Sequence, residues 1–338
     1  MNVINENRFN ELTSKLSTVD NILVLGDVGI DHYIYGSVDR ISPEAPVPVL
    51  RVTREEQKLG MAANICHNIF ALGAHSSLVS IVGDDLRGNM LKKMMTLEGV
   101  QLDGLIQAND VQTISKERIL TERQQICRVD YEPEFPSFSE KNLNNLIKAY
   151  QKELEKNQFV ILEDYSKGIL TEKTIRQFIN LANEANKFIA VDPGRGKPAI
   201  FYKGASLLKP NLSEAKELVH SLGYSTTDIG EVINILSEKL EINRLAVTLG
   251  PKGMALLDRT LSENVTIIPT LASEVFDVSG AGDTVIAVMT MALSCGATLV
   301  EAGWLSNLAA GVVVSKHGTA TVNLNELSEY YSYIKNKK

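Results

Sequence analysis

The sequence predicts an α/β fold in which helices cover both faces of one mostly parallel, doubly wound sheet, with a small β-sheet flap beside it. Three observations carry this prediction. Short apolar runs alternate with helix-like stretches along most of the chain. Gly26 and Asp27 follow the first of those runs, as expected where a buried parallel strand ends at a functional loop. Two β-rich segments do not fit the alternation. The composition, with 338 residues of which 44% are hydrophobic, suits one large core and a single domain, 1–338.

The first sheet strand is predicted at residues 21–25, an apolar run that ends in Gly26 and Asp27. The flap is predicted at residues 33–52 and 116–130. Residues 42–48 contain three prolines, which is too many for a central strand but suits an exposed edge or a flap. Residues 116–130 alternate in the manner of a half-buried strand.

The alternation continues along the rest of the chain. Strands are predicted at 77–82, 159–162, 188–191, 206–208, 244–248 and 253–257. Helices are predicted at 62–72, 87–97, 141–155, 171–185, 213–222 and 228–240, followed by two terminal helices, the first containing the uncharged run 285–293. With no repeat and no low-complexity linker, no second domain is expected.

Charge and composition argue against several classes of partner. The net charge is −7, and no cluster of basic residues favours nucleic acid or an anionic membrane. Residues 1–19 are polar and lack a secretory signal, and the least polar tract, 284–300, is shorter than the roughly 20 residues that span a bilayer. Cys66, Cys127 and Cys295 show neither disulfide nor zinc spacing, so reduced and buried thiols are expected. The five histidines also lack metal-ligand spacing. The cytoplasm is the expected compartment.

The segment from Gly280 to Asp283 carries the strongest chemical signal. It is a glycine-rich turn that opens a buried helix, where free backbone N–H groups and the helix dipole attract phosphate oxygens. Asp283 stands there as a base for a hydroxyl, and Gly280, Ala281 and Gly282 keep the backbone close to the anion. The alternative is a tight turn with Asp as a helix cap.

Other polar residues follow predicted strands or open helices. Asp31 and Asn64 suit the binding of vicinal sugar hydroxyls, although each alone also fits a turn or a cap. Asn211 and Glu214 could organise hydrated Mg²⁺ and nucleotide phosphates, or belong to a Ser-capped helix. The loop 248–253 is either a plain hairpin or a border of a phosphate site.

Two common nucleotide motifs are absent from the sequence. No Gly-x-x-x-x-Gly-Lys-Ser/Thr sequence exists, and Pro198 follows Lys197 where a P-loop needs Ser or Thr. Val285 stands where a dinucleotide fingerprint requires a third Gly or Ala. These absences argue against a P-loop enzyme and a nicotinamide dehydrogenase.

Taken in order, several segments resemble the ribokinase-like (PfkB) carbohydrate kinases from about residue 21 to 327. Within that family the chain is most similar to the kinase part of bacterial heptose 7-phosphate enzymes, which make the ADP-heptose precursor of lipopolysaccharide. The segments that carry the resemblance are Gly26-Asp27-Val28 with Asp31, Tyr35-Gly36, Arg40-Ile41-Ser42-Pro43-Glu44-Ala45-Pro46-Val47-Pro48-Val49, Asp164-Tyr165-Ser166-Lys167-Gly168, Pro210-Asn211-Leu212-Ser213-Glu214, Gly280-Ala281-Gly282-Asp283-Thr284-Val285 and Ala309-Ala310-Gly311-Val312-Val313-Val314.

The resemblance implies a role for each candidate residue. Asp283 is the base, and the amides of Gly280, Ala281 and Gly282 form the anion hole. The implied sugar-binding residues are Asp31, Gly60 and Asn64, with Arg118, Arg128 and Lys167 for the substrate's own phosphate. The implied ATP and Mg²⁺ residues are Thr248, Gly250, Gly253, Asn307, Asn211 and Glu214. Main-chain carbonyls of Asp277 and Ser279 match a monovalent-cation (K⁺) site, and the flap is expected to close over substrate and pair two subunits as a homodimer.

The chain departs from the family pattern at two points. The family usually has Gly-Gly where this sequence has Gly60-Met61, so added bulk near the sugar makes the substrate less certain than the reaction. The bifunctional heptose enzymes continue into a nucleotidyltransferase domain, whereas this sequence stops at Lys338, so adenylylation is expected from a separate protein.

These inferences lead to one functional hypothesis and two rivals. The hypothesis is an ATP- and Mg²⁺-dependent kinase that phosphorylates the anomeric hydroxyl of D-glycero-D-manno-heptose 7-phosphate to the 1,7-bisphosphate. The first rival is another sugar or sugar-phosphate kinase, for example one that uses fructose phosphates. The second is a catalytically silent sugar-phosphate-binding protein that keeps the fold.

Overall fold

The structure of the chain is a computed structural model that describes residues 4–121, 124–133 and 138–337. The strands are β1 (Ile22–Gly26), β2 (Val28–Ile41), β3 (Pro48–Met61), β4 (Ser76–Gly83), β5 (Gln101–Ala108), β6 (Ile114–Leu120), β7 (Gln125–Tyr131), β8 (Phe159–Glu163), β9 (Phe188–Asp192), β10 (Leu207–Leu208), β11 (Arg244–Thr248), β12 (Met254–Asp258) and β13 (Thr266–Ile268). The α-helices are α1 (Glu6–Leu16), α2 (Ala62–Ala71), α3 (Leu86–Leu97), α4 (Glu140–Lys156), α5 (Glu172–Glu184), α6 (Leu212–Ser221), α7 (Ile229–Leu240), α8 (Ala281–Ser294), α9 (Leu299–Val313) and α10 (Leu324–Asn336).

The main sheet has the strand order β13-β12-β11-β10-β9-β8-β1-β4-β5. Its pairs are parallel from β5 to β11, while β12 pairs antiparallel with both β11 and β13. Successive β1 side chains enter different cores, because side chains alternate across a strand. Ile22 and Val24 pack into the core that contains α8 and α9, and Leu23 and Leu25 into the one that contains α4 and α5.

The flap is a second sheet with the order β3-β2-β6-β7, called the lid below. Strands β2 and β3 form a long antiparallel hairpin, and β6 pairs parallel with β2. Two of the three prolines, Pro43 and Pro46, lie in the connecting turn, and Pro48 begins β3. The second sheet therefore includes both segments predicted for the flap, 33–52 and 116–130, apart from residues 122 and 123, which lie outside the described residues, and its strands have wider bounds.

The predicted fold class is confirmed, and each strand and helix given individual bounds is observed within a few residues. The sequence reasoning missed α1, β5, β13 and α10, so three helices rather than two follow β13. The exposure of Cys127 also corrects the expectation of buried thiols, since only Cys66 is fully buried and Cys295 is partly exposed. The lid surface around Cys127 faces outward, which a strand pattern alone does not reveal.

The order of the strands creates a crevice beside β1. Strand β1 lies between β4 and β8 in the sheet. The chain reaches β4 first and β8 later, so the connections that leave β1 and β8 run in opposite directions along the sheet. Open α/β sheets bind ligands at such a switch point, beyond the carboxyl ends of the strands. No helix in the described ranges has the length and apolar character needed to cross a membrane.

Candidate active site

Asp283 lies in the first turn of α8, whose N-cap is Gly280. Gly280 has φ +77°, which a glycine adopts without strain, and a Cβ there would lie 2.9 Å from Asn64 Nδ2. Helix geometry leaves the amides of Gly282 and Asp283 without acceptors inside the helix. The glycine turn thus presents N–H groups beside a carboxylate, as the sequence predicts.

Both carboxylate oxygens of Asp283 accept a hydrogen bond from a neighbouring element. Asn64 Nδ2 in α2 donates to Oδ2 over 2.7 Å, and the hydroxyl of Tyr165, which follows β8, donates to Oδ1 over 2.8 Å. Burial raises the pKa of Asp283 to about 6, against the lowering effect of these two bonds and of Lys209. A carboxylate with such a pKa is ionised at neutral pH and basic enough to accept a proton.

Gly60 and Met61 connect the lid to α2. A Cβ at Gly60 would lie 2.9 Å from Asp31 Oδ2, so any larger residue would force that carboxylate to shift. Met61 is the N-cap of α2 and has φ 60° and ψ −138°, a region that glycine occupies far more easily. This conformation explains why the family usually has a second glycine at this position. Met61 adopts the same backbone conformation and buries its side chain.

Asp31 lies on β2 and forms an ion pair with Arg118 on β6. In the parallel register, Asp31 stands opposite Lys116, and Arg118 stands opposite Tyr33. Arg128 of β7 stands opposite Arg118, so Lys116, Arg118 and Arg128 share the face that carries Asp31. Tyr33 joins this face to the C-terminal part of the chain, since its hydroxyl contacts Thr319 Oγ1 at 2.8 Å.

Of the three residues predicted for the substrate's phosphate, none is far from the lid, but each already has an acidic partner. Arg118 pairs with Asp31, Arg128 with Asp130 at 2.8 Å, and Lys167 with Glu132 at 2.7 Å. Lys116 was not predicted. Its half-buried ammonium forms no ion pair with a carboxylate in the described part of the chain, and burial lowers its pKa.

A buried acidic cluster surrounds Lys209 at the carboxyl ends of the central strands. Lys209 Nζ lies 2.5 Å from Asp192 Oδ2, and both residues are buried. Burial would lower the pKa of Lys209, but Asp192 and Glu163 raise it above its ordinary value. For the carboxylate of Asp192, burial acts in the other direction and raises its pKa to about 7. A Cβ at Gly282 would lie 3.8 Å from Lys209 Nζ, so this ammonium adjoins the glycine turn.

A cavity of about 320 Å³ lies on the other side of the glycine turn. Four residues predicted to border ATP line it together, namely Thr248, Gly250, Gly253 and Asn307. Ala281 and Gly282 close the end next to Asp283, and apolar side chains such as Val285 and Val314 form its walls. The loop 248–253 joins the antiparallel pair β11 and β12, so it is both a hairpin and a cavity wall.

Asn211 and Glu214 form a capping box at the start of α6. Asn211 Oδ1 accepts from the amides of Ser213 and Glu214, and Glu214 Oε2 accepts from the Asn211 amide over 2.9 Å. The cap is Asn211, so the alternative of a Ser-capped helix is wrong. Glu214 Oε1 points toward exposed Arg195, at 3.8 Å from its Nε.

Asp277 fixes the loop before the glycine turn. Its two carboxylate oxygens accept from the amides of Ser279 over 2.9 Å and Gly318 over 3.0 Å. The loop is thereby tied to the segment after α9. Across residues 4–121, 124–133 and 138–337, no three His, Cys, Asp or Glu side chains gather in an arrangement that could hold a metal ion.

Sequence reasoning missed three functional candidates at this site: Lys116, Tyr165 and Lys209. Tyr165 and Lys209 each stand next to a residue that drew attention, in Asp164-Tyr165-Ser166-Lys167 and Lys209-Pro210-Asn211. Both follow apolar strands, and that position was the available signal. Lys116 carries no local signal, because its importance depends on pairing between β6 and β2.

Comparisons with known proteins agree with the fold and identify a protein family. Residues 19–326 match the model of the pfkB family carbohydrate kinases. The chain is 41% identical over 317 residues to the bifunctional protein HldE of Aliarcobacter butzleri, which covers 94% of this chain and 65% of that protein. The chain thus spans about two thirds of the length of this curated relative.

Solved structures show the same fold at low sequence identity. Phosphofructokinase-2 of Escherichia coli in complex with potassium superposes with a TM-score of 0.76 at 20% identity, covering 94% of this chain and 99% of that one. Ribokinase of Arabidopsis thaliana complexed with ribose and ATP gives a TM-score of 0.71 at 19% identity, covering 92% and 98%.

Proposed function

The chain belongs to the pfkB family of carbohydrate kinases, and from that premise we propose that it transfers the γ-phosphoryl group of ATP to the anomeric hydroxyl of D-glycero-D-manno-heptose 7-phosphate. The product is the 1,7-bisphosphate. One observation carries the proposal: the ionisable, buried carboxylate of Asp283 lies at the start of α8, beside the cavity wall and within the electrostatic influence of Asp31 of the lid.

Phosphoryl transfer requires a base for the hydroxyl proton and donors for the negative charge that develops on the phosphoryl group. Asp283 accepts the proton. The N-terminal amides of α8 and the ammonium of Lys209 face the side where the phosphoryl group passes. Asp31 and Asn64 then orient the sugar hydroxyls, with Gly60 leaving space for Asp31.

The cavity of about 320 Å³ suits the nucleoside of ATP, since its walls are mostly apolar and one end reaches the glycine turn. Mg²⁺, when bound, neutralises charge on the nucleotide phosphates. Glu214 Oε1 and Asn211 stand near Lys209 at the strand edge and fit a metal that keeps most of its water and phosphate ligands.

A monovalent cation is proposed at the loop that contains Asp277 and Ser279. The hydrogen bonds that Asp277 makes to Ser279 and Gly318 order this loop next to the glycine turn, which leaves its main-chain carbonyls fixed. The potassium complex of the Escherichia coli phosphofructokinase-2 supports this proposal by fold similarity. ATP and sugar phosphates also make the cytoplasm the proposed compartment.

A phosphorylated sugar is favoured over a free one by the charge of the lid. Burial, and to a lesser extent the positive charge of Lys167, lower the pKa of Lys116, and Lys116 has no paired carboxylate in the described residues. A dianionic phosphate monoester would satisfy both. The two rivals are a kinase for another sugar phosphate, such as a fructose phosphate, and a silent sugar-phosphate-binding protein.

The substrate is tested with an ADP-release assay across phosphorylated and free sugars, with and without Mg²⁺ and K⁺. We expect kcat/KM to be highest for the heptose 7-phosphate, because its phosphate reaches the lid while its anomeric hydroxyl faces Asp283. A higher kcat/KM for a fructose phosphate would contradict the heptose proposal and support the first rival, a kinase for another sugar phosphate. Absence of ADP release with every sugar would favour the silent binding protein.

Replacing Asp283 with Asn removes the base while keeping a side chain of the same size. We expect turnover to fall by roughly 10²–10⁴-fold, with KM for both substrates changed little. The measurement is steady-state kinetics, with calorimetric titration to confirm that sugar phosphate still binds. Turnover close to that of the wild type would show that Asp283 is not the base.

Replacing Lys116 with Gln tests the phosphate-binding role of the lid. Loss of a charge-assisted bond should raise KM for the sugar phosphate roughly tenfold or more, while KM for ATP stays constant. Arg128→Gln is the matched control, because Arg128 lies on the same face but is exposed and paired with Asp130. Equal effects of the two substitutions would contradict the special role of Lys116.

The lid is also proposed to join two copies of the chain. Its surface exposes four apolar side chains, whose burial against a second copy would be favourable because it removes apolar area from water: Ile41, Val47, Val52 and Val129. Light scattering should give twice the 37.1 kDa chain mass, and Val52→Glu with Val129→Glu should halve it. Leu261→Glu, an exposed apolar residue outside the lid, is the control. A wild-type mass of one chain would refute the pairing.

A further inference from the structure

The phenol of Tyr165 is an unusual neighbour for a proposed catalytic base. Its oxygen lies 2.8 Å from Asp283 Oδ1, while the other carboxylate oxygen is bonded by Asn64 over 2.7 Å. Each carboxylate oxygen has two lone pairs, so Oδ1 can accept both the phenol and a substrate hydroxyl. Tyr165 therefore orients the carboxylate without blocking the incoming proton.

The charges around Asp283 make this bond important for its ionisation. The charged or titratable groups that face it come from several elements: Asp31 of β2, Glu163 at the end of β8, Tyr165 after β8, Asp192 at the end of β9 and Lys209 after β10. Three of these are acidic, and the single ammonium is already paired with Asp192. Neutral donors must then supply much of the stabilisation of the Asp283 charge.

Tyr165 remains a donor over the whole working pH range. Burial, and next the charge of Asp283, raise the pKa of its phenol well above the ordinary value of a tyrosine. A neutral phenol can donate its proton in the hydrogen bond and adds no further negative charge.

The backbone around Tyr165 is held firmly. The next residue, Ser166, has φ 57°, and its amide donates to Asp164 Oδ1 over 2.9 Å. Lys197 Nζ binds the same carboxylate over 2.6 Å, so the loop has a fixed shape. On the lid side, Lys116 Nζ lies 5.9 Å from the centre of the Tyr165 ring. The phenol thus stands between the lid and the base.

We propose that Tyr165 is a positioning residue that orients the Asp283 carboxylate for proton transfer and sets the lower pH limit of activity. This inference rests on the proposed role of Asp283. In the step, the acceptor hydroxyl oxygen bonds to the γ-phosphorus, the bond from that phosphorus to the β,γ-bridging oxygen breaks, and ADP leaves. The hydroxyl proton moves to Asp283. The Tyr165 proton stays on its own oxygen throughout.

The test compares pH profiles of kcat for the wild type and Tyr165→Phe. The acid limb of such a profile is the pH range in which activity falls as Asp283 becomes protonated. Loss of a donor to the charged form raises the pKa of the carboxylate, so we expect this limb to move to higher pH by about one unit. At pH values below the Asp283 pKa of both proteins, kcat of the variant, expressed as a fraction of its own maximum, is then about tenfold lower than that of the wild type. KM for both substrates should change less than twofold, since Tyr165 acts through Asp283.

A second variant avoids any loss of packing. Incorporation of 3-fluorotyrosine at position 165 keeps the hydroxyl and makes it a stronger donor, so the acid limb should move in the opposite direction, to lower pH. Tyr202→Phe is the matched control, because the buried Tyr202 hydroxyl donates to Asp164 Oδ2 over 2.8 Å rather than to Asp283. Its removal should lower thermal stability and leave the limb in place.

The outcomes separate this inference from the proposed function. If Asp283→Asn loses turnover while Tyr165→Phe and the fluorinated variant both keep the wild-type limb, Tyr165 has no positioning role and only this inference fails. If Asp283→Asn stays active, the base assignment fails first. Opposite shifts of the limb in the two Tyr165 variants, with the Tyr202→Phe limb unchanged, support the proposal.

Discussion

The structure depends on one constraint, the stabilisation of a carboxylate that is almost removed from water at the start of α8. An ionised group in such a place needs hydrogen bonds and charges from its neighbours. Asp283 receives them from Asn64 in α2, from Tyr165 after β8 and from Lys209 after β10. These elements are far apart in the sequence, and the order of the central strands brings them to one edge.

The lid extends this arrangement over the crevice. Asp31 and Arg118 join β2 to β6 within the lid, and the Tyr33 hydroxyl attaches the lid to the segment after α9 through two hydrogen bonds with Thr319. Met61 sits where the lid enters α2 and holds a backbone conformation that favours glycine. In this account, that local strain is retained because Gly60 and Asn64 on either side must face Asp31 and Asp283.

Much of the fold and part of the site could be predicted from the sequence. Apolar runs such as residues 159–162 have the length and composition of buried strands, and the glycine turn before Asp283 identifies a helix start. The amphipathic α1 and the short β13 give weak local signals, and their positions depend on packing, as for Phe9 stacked on Tyr331 at 4.0 Å. Lys116 and the exposure of Cys127 are likewise set by how the lid strands pair.

The central claim is that Asp283 faces the hydroxyl that accepts the phosphoryl group. The most direct measurement is a crystal structure of the protein with the sugar phosphate and a non-hydrolysable ATP analogue. The account predicts an Asp283 carboxylate oxygen within about 3 Å of the acceptor hydroxyl, with the terminal phosphoryl group in line beside the α8 amides. A hydroxyl that contacts a different base, with Asp283 remote from it, would contradict the account.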